Sequence, residues 1–253
     1  MEELVSIITP SFNCGKYIGE TIKSVIMQSY QNWEMIIVDD CSSDDTRQII
    51  SEYNDNRIKL LINSHNRGAA YCRNKAIKEA KGKYIAFLDA DDVWLPEKLK
   101  KQINFMRDNG YSFTCAYCDY IDENSMPLEV IDTSPNKVGK VGMYLYNWIA
   151  CLTVIYYVPV VGMIQIEEIP KRNDYALWLK VIKKTECYCY PEILGSYRVR
   201  KNSISHTSKI KLVKEHYNLF RKCEKMSFLK AILLTFINVL MYVYRRFRYV
   251  KKI

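Results

Sequence analysis

Histidine is scarce in this sequence: His65, His206 and His216 are the only three among 253 residues. Their spacing matches no zinc-ligand pattern, so all three are expected to be ordinary surface residues. Glycine is also sparse, with nine residues. None of them builds a G-x-G-x-x-G turn after the first apolar strand, which argues against NAD or FAD binding, and no G-x-x-x-x-G-K-[ST] segment exists, which excludes an ordinary P-loop NTPase. The loop TPSFNCGKY also lacks the glycine-rich, Arg/Lys-bearing character that a nucleotidyltransferase of similar architecture uses. There is no internal repeat and no low-complexity tract. The nine cysteines are an odd set, and Cys115/Cys118 is a lone C-x-x-C with no second pair at zinc spacing. Met1 is followed at once by charged residues and a strand, so the expectation is no leader and reduced thiols in a cytosolic compartment.

What is present is enough apolar material for a large core. Hydrophobic residues make up 49% of the chain, and its length suits one large α/β domain with an appendage. The net charge of +9 is concentrated at one end. From residue 209 onward there are 12 Lys/Arg and 2 Asp/Glu, which leaves 25 basic and 26 acidic side chains for the first 208 residues. A neutral body with a cationic tail points to a local anionic partner such as phospholipid headgroups. Nucleic acid would require a basic groove with aromatic platforms, and the body has no such surplus.

The first hundred residues alternate short β-branched runs with helical spacing. Strands are expected at Leu4–Thr9, Trp33–Val38, Ile58–Ile62 and Tyr84–Leu88. Helices are expected at Tyr17–Gln28, Thr46–Tyr53 and Ala69–Ala80. This alternation implies βαβ units in a doubly wound, mostly parallel sheet, whose ligands bind beyond the carboxyl ends of the strands. Further along, Pro96–Asn109 and Tyr175–Lys184 read as helices. Phe113–Ile121, Leu152–Val158, Cys187–Tyr190 and Leu194–Val199 read as strands, residues 122–142 as loop-rich with room for short strands, and the chain from about Lys209 as helix.

Chemically useful residues stand at those strand ends. Asp89-Ala90-Asp91-Asp92 follows the apolar run YIAFL. Carboxylates so close repel one another unless solvated or neutralised, and oxygen ligands suit Mg²⁺ or Mn²⁺. For Asp92 a helix N-cap ahead of Pro96 is an equal reading. Asp39-Asp40 ends the second strand, either as a turn or as an acceptor for a nucleotide N–H or hydroxyl. Phe12 offers a face for stacking a base, or a core side chain. On pattern alone Asp174 is a helix N-cap.

The segments VSIITPSFNCGKYIGETIKSVIMQSYQNWEMIIVDDCSSDDT, NRGAAYCRNKAIKEAKGKYIAFLDADDVWLPEKL, NDYALWLKVI and YRVRKNSIS resemble, in order and spacing, the inverting family 2 glycosyltransferases of the GT-A fold. The bacterial O-antigen and capsular polysaccharide enzymes look most similar. The resemblance runs from about Val5 to Ser205. It implies an α/β GT-A fold over residues 1–208, with 209–253 as a helical, basic extension. It also implies transfer of a hexose or N-acetylhexosamine from a nucleotide diphosphate sugar, with a UDP-sugar favoured, to an undecaprenyl diphosphate-linked saccharide. By the same resemblance, Pro10, Phe12 and Asp40 hold the nucleobase, and Arg67 or Arg73 steadies the donor. Asp89 and Asp91 form the Asp-x-Asp pair that binds donor and Mn²⁺ or Mg²⁺, and Asp174 is the general base ahead of a Leu-Trp pair.

Two departures from the family stand out. Asn173-Asp174 replaces a frequent Glu-Asp, and Tyr197-Arg198-Val199-Arg200 replaces Tyr-Arg-x-His. Arg200 cannot ligate a metal as histidine does, but can clamp a diphosphate. Donor choice is expected to lie in the segment 122–169. In the tail, Ala231–Tyr244 is 14 residues without a charge, about 21 Å as a helix and short of the ~20 apolar residues that cross a bilayer. Thr235, Asn238 and Tyr242 form a less apolar stripe leading to Arg245. The expectation is an interfacial helix on an anionic surface, placing the protein peripherally at the cytoplasmic face of the bacterial inner membrane. A helix packed on the catalytic domain or in an oligomer is the alternative. A non-catalytic sugar-binding or scaffold subunit should have lost one of Asp40, Asp91 or Asp174, and all three are present.

Overall fold

The computed structural model describes residues 2–200 and 209–252. Four strands, β1 (Val5–Ser11), β2 (Trp33–Asp39), β3 (Ile58–Ile62) and β4 (Tyr84–Phe87), lie parallel in the order β3-β2-β1-β4. Helices α1 (Gly15–Ile26), α2 (Thr46–Ser51) and α3 (Ala69–Glu79) connect them. Alternate residues of each strand enter opposite layers, as the two-residue period of a strand requires. Ile7, Met35, Ile37 and Ala86 face a core shared with Ile18, Ile22 and Val25 of α1. Ile8, Ile36, Val38, Ile85 and Phe87 face the other core, with Ala76 and Ile77 of α3. The uninterrupted apolar character of these strands therefore reflects burial on both faces.

A short strand β5 (Val93–Trp94) and helix α4 (Lys98–Asn109) lead to β6 (Phe113–Ile121), β7 (Pro127–Asp132), β8 (Lys137–Val138) and α5 (Lys140–Leu145). Strand β9 (Ile155–Tyr157) runs antiparallel between β4 and β6 and is followed by α6 (Val158–Val161) and α7 (Asn173–Val181). The loop-rich stretch 122–142 holds the short strands that it had room for, β7 and β8, and also the start of α5. The two strands expected between 187 and 199 are a single β10 (Cys187–Arg198), parallel to β6, with register shifts on either side of Ile193. Pro191 has no N–H for the ladder, and the irregularity absorbs it within a continuous strand.

Helix α8 (Lys209–Asn218) runs into a π-type turn at Leu219–Cys223, then α9 (Phe228–Arg248) and β11 (Val250–Lys252). Strand β11 pairs antiparallel with β7 at the sheet edge. Leu219 and Phe220 belong to the main core. His206 lies outside the described residues, but His216 departs from the surface expectation. It is buried with its ring edge-on to Tyr175, 6.2 Å between centroids, because α8 turns that side onto α7.

Helix α9 is an amphipathic helix turned inside out. Ala231, Thr235 and Asn238 are buried against the body, and Asn238 Nδ2 donates to the Tyr144 carbonyl at 3.1 Å. Arg245 reaches Asp132 at 2.6 Å, and the Tyr120 hydroxyl donates to the same carboxylate. Of the less apolar stripe foreseen from the sequence, Thr235 and Asn238 therefore dock against the body, while Tyr242 stays exposed. Leu229, Leu233, Phe236, Leu240 and Phe247 project outward, between 54% and 85% exposed. At 21 residues the helix exceeds its uncharged stretch and is long and apolar enough to cross a bilayer by length and composition alone.

Burial, with Arg172 adding to it, pushes the His216 imidazole down from its usual 6.5 to about 3. Between those values the unfolded chain binds the extra proton, so stability present above pH 6.5 is lost as the pH falls towards 3. By pH 5 the loss from this group is about 2 kcal/mol. Urea unfolding at pH 7 and pH 5 should show His216→Gln losing less stability between the two than the wild type does. Equal losses would show that the histidine is not buried neutral.

Candidate active site

The carboxyl ends of β1, β2 and β4 meet the start of α7 and the end of β10. Residues with left-handed backbone mark these junctions: Asn13 after β1, Cys41 after β2 and Arg172 before α7. Such conformations cluster where a fold aims side chains at a site. Gly15 opens α1, and its N–H donates to Asp44 Oδ2 at 3.0 Å. A Cβ there would lie 1.8 Å from Asp45 Oδ1, so a larger residue would push the Asp45 side chain aside.

The two aspartates ending β2 have separate tasks. Asp39 accepts from the Ser42 N–H and hydroxyl and closes the turn. Asp40 is only 3% exposed. Its Oδ1 accepts from Asn63 Nδ2 at 2.8 Å and from the Arg67 N–H at 2.9 Å, and its Oδ2 from the Gly68 N–H at 2.6 Å. Gly68 sits at φ +86°, a conformation that a side chain would strain. Asp40 thus holds the entry to α3. Pro10, half-buried in β1, pairs in register with Val38, and the Phe12 ring just beyond is 46% exposed.

At the end of β4 each carboxylate of the acidic run meets a different partner. Asp89 pairs with Arg73 of α3. Asp91 lies 2.7 Å from Arg200 Nε. Asp92 is buried and accepts the Arg198 N–H at 2.9 Å, with its backbone carbonyl taking the Thr21 hydroxyl. Burial and the negative charges of Asp91 and Asp89 hold the Asp92 carboxyl well above the usual carboxylate range. Burial also raises Asp91, against the pull of Arg200. Of the two arginines considered for the donor, only Arg73 lies here. Arg67 stacks its guanidinium 3.7 Å from the Tyr71 ring centre and pairs with Glu168.

Arg73 also joins this strand end to α7. One terminal nitrogen pairs with Asp89 and the other donates to Asn173 Oδ1, beside Asp174. Packing fixes the same junction from below. Trp178 stands edge-on to Phe87, 5.0 Å between centroids at 83°, and Phe87 lies two residues before Asp89. Asp174 and Trp178 are four residues apart and share a face of α7, so the buried tryptophan aims the carboxylate. Asn147 Nδ2 lies 3.4 Å from Asp174 Oδ2. The fold therefore gathers Asp89, Asp91, Asp174, Arg73 and Arg200 at one place, with Asp40, Pro10 and Phe12 at the neighbouring strand ends.

Some supporting residues have roles that the sequence left unassigned. Arg198 is fully buried: Nε donates to the Asp91 carbonyl at 2.7 Å, NH1 to Ser125 Oγ at 2.8 Å, and NH2 to Glu20 Oε2 at 2.6 Å. It ties β10, α1 and the β6–β7 turn to the acidic loop. Glu20 reads as an ordinary helix-surface residue, and Asn147 lies in a stretch without pattern. For a cation the donor set is acidic oxygen, which suits a hard divalent ion. Among the described residues no three carboxylate, thiol or imidazole groups converge to enclose one. Asp89 and Asp91 fit an ion that completes its shell with water and phosphate oxygens, as Mg²⁺ does.

Comparison with known proteins identifies the family and the fold. The Glycosyl transferase family 2 model matches residues 6–148. The Bacillus subtilis glycosyltransferase TuaG, named for teichuronic acid biosynthesis, is 41% identical over 231 residues, covering 90% of this chain and 91% of its own. The Escherichia coli UDP-Glc:α-D-GlcNAc-diphosphoundecaprenol β-1,3-glucosyltransferase WfgD is 38% identical over 218 residues, 85% of each chain. In fold, S. aureus TarS 1–349 in complex with UDP-GlcNAc matches 97% of this chain and 73% of its own, with a TM-score of 0.69 at 20% identity. The Pyrobaculum calidifontis mannosyltransferase PcManGT, solved with GDP-Man and Mn²⁺, also gives 0.69, at 16% identity over 98% of this chain and 72% of that one. With its strand ends and the long-range identity in agreement, the chain belongs to glycosyl transferase family 2.

Proposed function

We propose that this glycosyltransferase moves a hexose or N-acetylhexosamine, with inversion, from a UDP-sugar to an undecaprenyl diphosphate-linked saccharide at the cytoplasmic face of the bacterial inner membrane. The observation that carries the reading is Arg73 bridging Asp89 and Asn173, which sets the start of α7, where Asp174 follows, beside the acidic strand end. WfgD, whose name states a UDP-glucose donor and a diphosphoundecaprenol-linked acceptor, supports the substrate classes.

In this reading Phe12 stacks on the nucleobase and Pro10 shapes the floor beneath it. Asp40, already fixed by Asn63 and the Arg67 and Gly68 N–H groups, presents its carboxylate to a base N–H. Arg73 holds Asp89 and Asn173 in register rather than reaching outward. Asp89 and Asp91 would hold Mn²⁺ or Mg²⁺, which supplies Lewis-acid neutralisation of the charge developing on the leaving diphosphate. Arg200 adds a guanidinium fork to that diphosphate. Asp174 takes the proton of the acceptor hydroxyl as its oxygen attacks the anomeric carbon, and the bonding electrons leave with the diphosphate. Asn147 keeps the Asp174 carboxylate oriented.

The tail supports a surface-bound rather than a spanning protein. Both ends of α9 are fastened to the body, through the buried turn at Leu219–Cys223 before it and β11 after it. Its outward apolar face is flanked by Lys225 and Lys230 at one end and Arg246, Arg248, Lys251 and Lys252 at the other. That pattern matches a helix lying in the headgroup region of an anionic leaflet.

Two measurements test these proposals. With UDP-glucose, UDP-GlcNAc and a lipid-linked acceptor mixture, UDP release should require Mn²⁺ or Mg²⁺ and vanish in Asp91→Ala, while Asp174→Asn should lower kcat about a thousandfold. Full activity of Asp174→Asn would remove it from the chemistry. In flotation assays the protein should rise with vesicles containing anionic lipid, and Leu233→Glu/Phe236→Glu should stay below. A wild type that ignores such vesicles and elutes as a dimer would assign the α9 face to a second copy instead.

A further inference from the structure

Arg200 makes a contact that the transfer reaction itself does not call for. Its Nε lies 2.7 Å from Asp91 Oδ2, yet that buried N–H has no acceptor along its axis, so the contact is an ion pair and not a directed hydrogen bond. The neighbouring arginines carry their directed bonds on other nitrogens, although the Arg73 Nε too lacks an acceptor. Arg73 and Arg198 make directed hydrogen bonds to Asn173 and Asp89, and to Glu20 and Ser125. The backbone leading to Arg200 is also fixed, with Arg198 N–H on Asp92 and Val199 N–H on the Ile121 carbonyl. The side chain therefore extends from a fixed stretch of backbone. Its guanidinium lies near the Tyr17 ring, 5.4 Å from the centroid, and close to Cys14 at the mouth of the acidic loop.

An acidic loop with Asp92 buried behind it is destabilised unless a positive charge stands at Asp91. We infer that Arg200 is that charge in the free protein, and that it leaves Asp91 for the donor diphosphate when a divalent cation takes the carboxylate. The inference rests on the reading of Asp91 as a cation ligand. Arg200 and the cation then compete for one carboxylate when no nucleotide is bound. With nucleotide present, the displaced guanidinium gains the diphosphate as a new anionic partner, and the competition ends. Cation and nucleotide consequently reinforce each other's binding, and by linkage each does so by the same factor. The departure from histidine at this position thus exchanges a residue able to ligate metal for one that yields its place to it.

The test is Mn²⁺ binding to the full chain, followed by the electron paramagnetic resonance of free Mn²⁺, with and without saturating UDP. Arg200→Gln should bind Mn²⁺ alone about tenfold more tightly than wild type, and the further tightening by UDP should shrink by a similar factor. Arg200→Lys keeps the charge and should bind Mn²⁺ alone as weakly as wild type, which guards against a fold defect in the glutamine variant. Thermal unfolding of each variant serves as the control. If Asp91→Asn loses Mn²⁺ but Arg200→Gln binds it no more tightly than wild type, Asp91 is the ligand and Arg200 is not its counter-ion. A Lys variant that tightens binding as much as Gln would overturn the inference in the same way. If Asp91→Asn binds Mn²⁺ with UDP as well as wild type does, the cation site itself is wrong and the inference falls with it.

Discussion

A buried guanidinium between two segments far apart in sequence organises the site. Arg73 projects from α3 with one nitrogen on Asp89 at the end of β4 and another on Asn173 at the start of α7. Burial works against its charge, but Asp89 together with Cys151 and Asp174 more than compensates and leaves it held firmly protonated. Removing one partner of such a pair leaves the other charged and desolvated, which is why buried pairs resist change more than they add stability. Here the loss would be worse, because Asp91 and Asp92 stand within three residues of Asp89. The Trp178–Phe87 contact brings the same two segments together through apolar packing, so polar and apolar interactions agree on one geometry.

The sheet explains why the site lies where it does. Parallel strands covered on both faces send their loops to one end, and the chemistry-bearing residues of β1, β2 and β4 collect there. Strand β10 adds Arg198 and Arg200 by returning alongside β6. The tail connects to the same architecture. Asn238 of α9 bonds the Tyr144 carbonyl, and the Tyr175 hydroxyl of α7 bonds the neighbouring Met143 carbonyl at 2.6 Å. The helix that we place at the membrane therefore packs against the segment that carries Asn147, next to Asp174.

Much of this was legible in the sequence where one local rule decided the outcome. The runs at Val5, Trp33 and Tyr84 read as strands of a doubly wound sheet, and Asp40 and the aspartates from Asp89 onward fell just beyond the ends of the last two by the same reasoning. Asp174 was different. Its pattern was that of any helix cap, and only the family resemblance separated it from one. What stayed hidden depended on long-range geometry. Glu20 becomes the partner of Arg198 across 178 positions, and no helical period announces that. His216 carried no burial signal because the residues covering it come from α7. In α9 the polar stripe looked like the wet side, since sequence periodicity gives the face but not the direction in which it points. The Asn238 bond to Tyr144 and the Arg245–Asp132 pair turned it inward.

The central claim is that the end of β4 holds a cation and a nucleotide diphosphate between Asp91, Arg200 and the start of α7. A crystal structure of the full chain grown with UDP and Mn²⁺, with data collected at the manganese absorption edge, tests it most directly. The account predicts an anomalous peak about 2.0–2.2 Å from an Asp91 carboxylate oxygen, the diphosphate against that peak, and the uracil beside Phe12 and Asp40. Uridine diphosphate bound elsewhere, or a peak with no contact to Asp89 or Asp91, would contradict it.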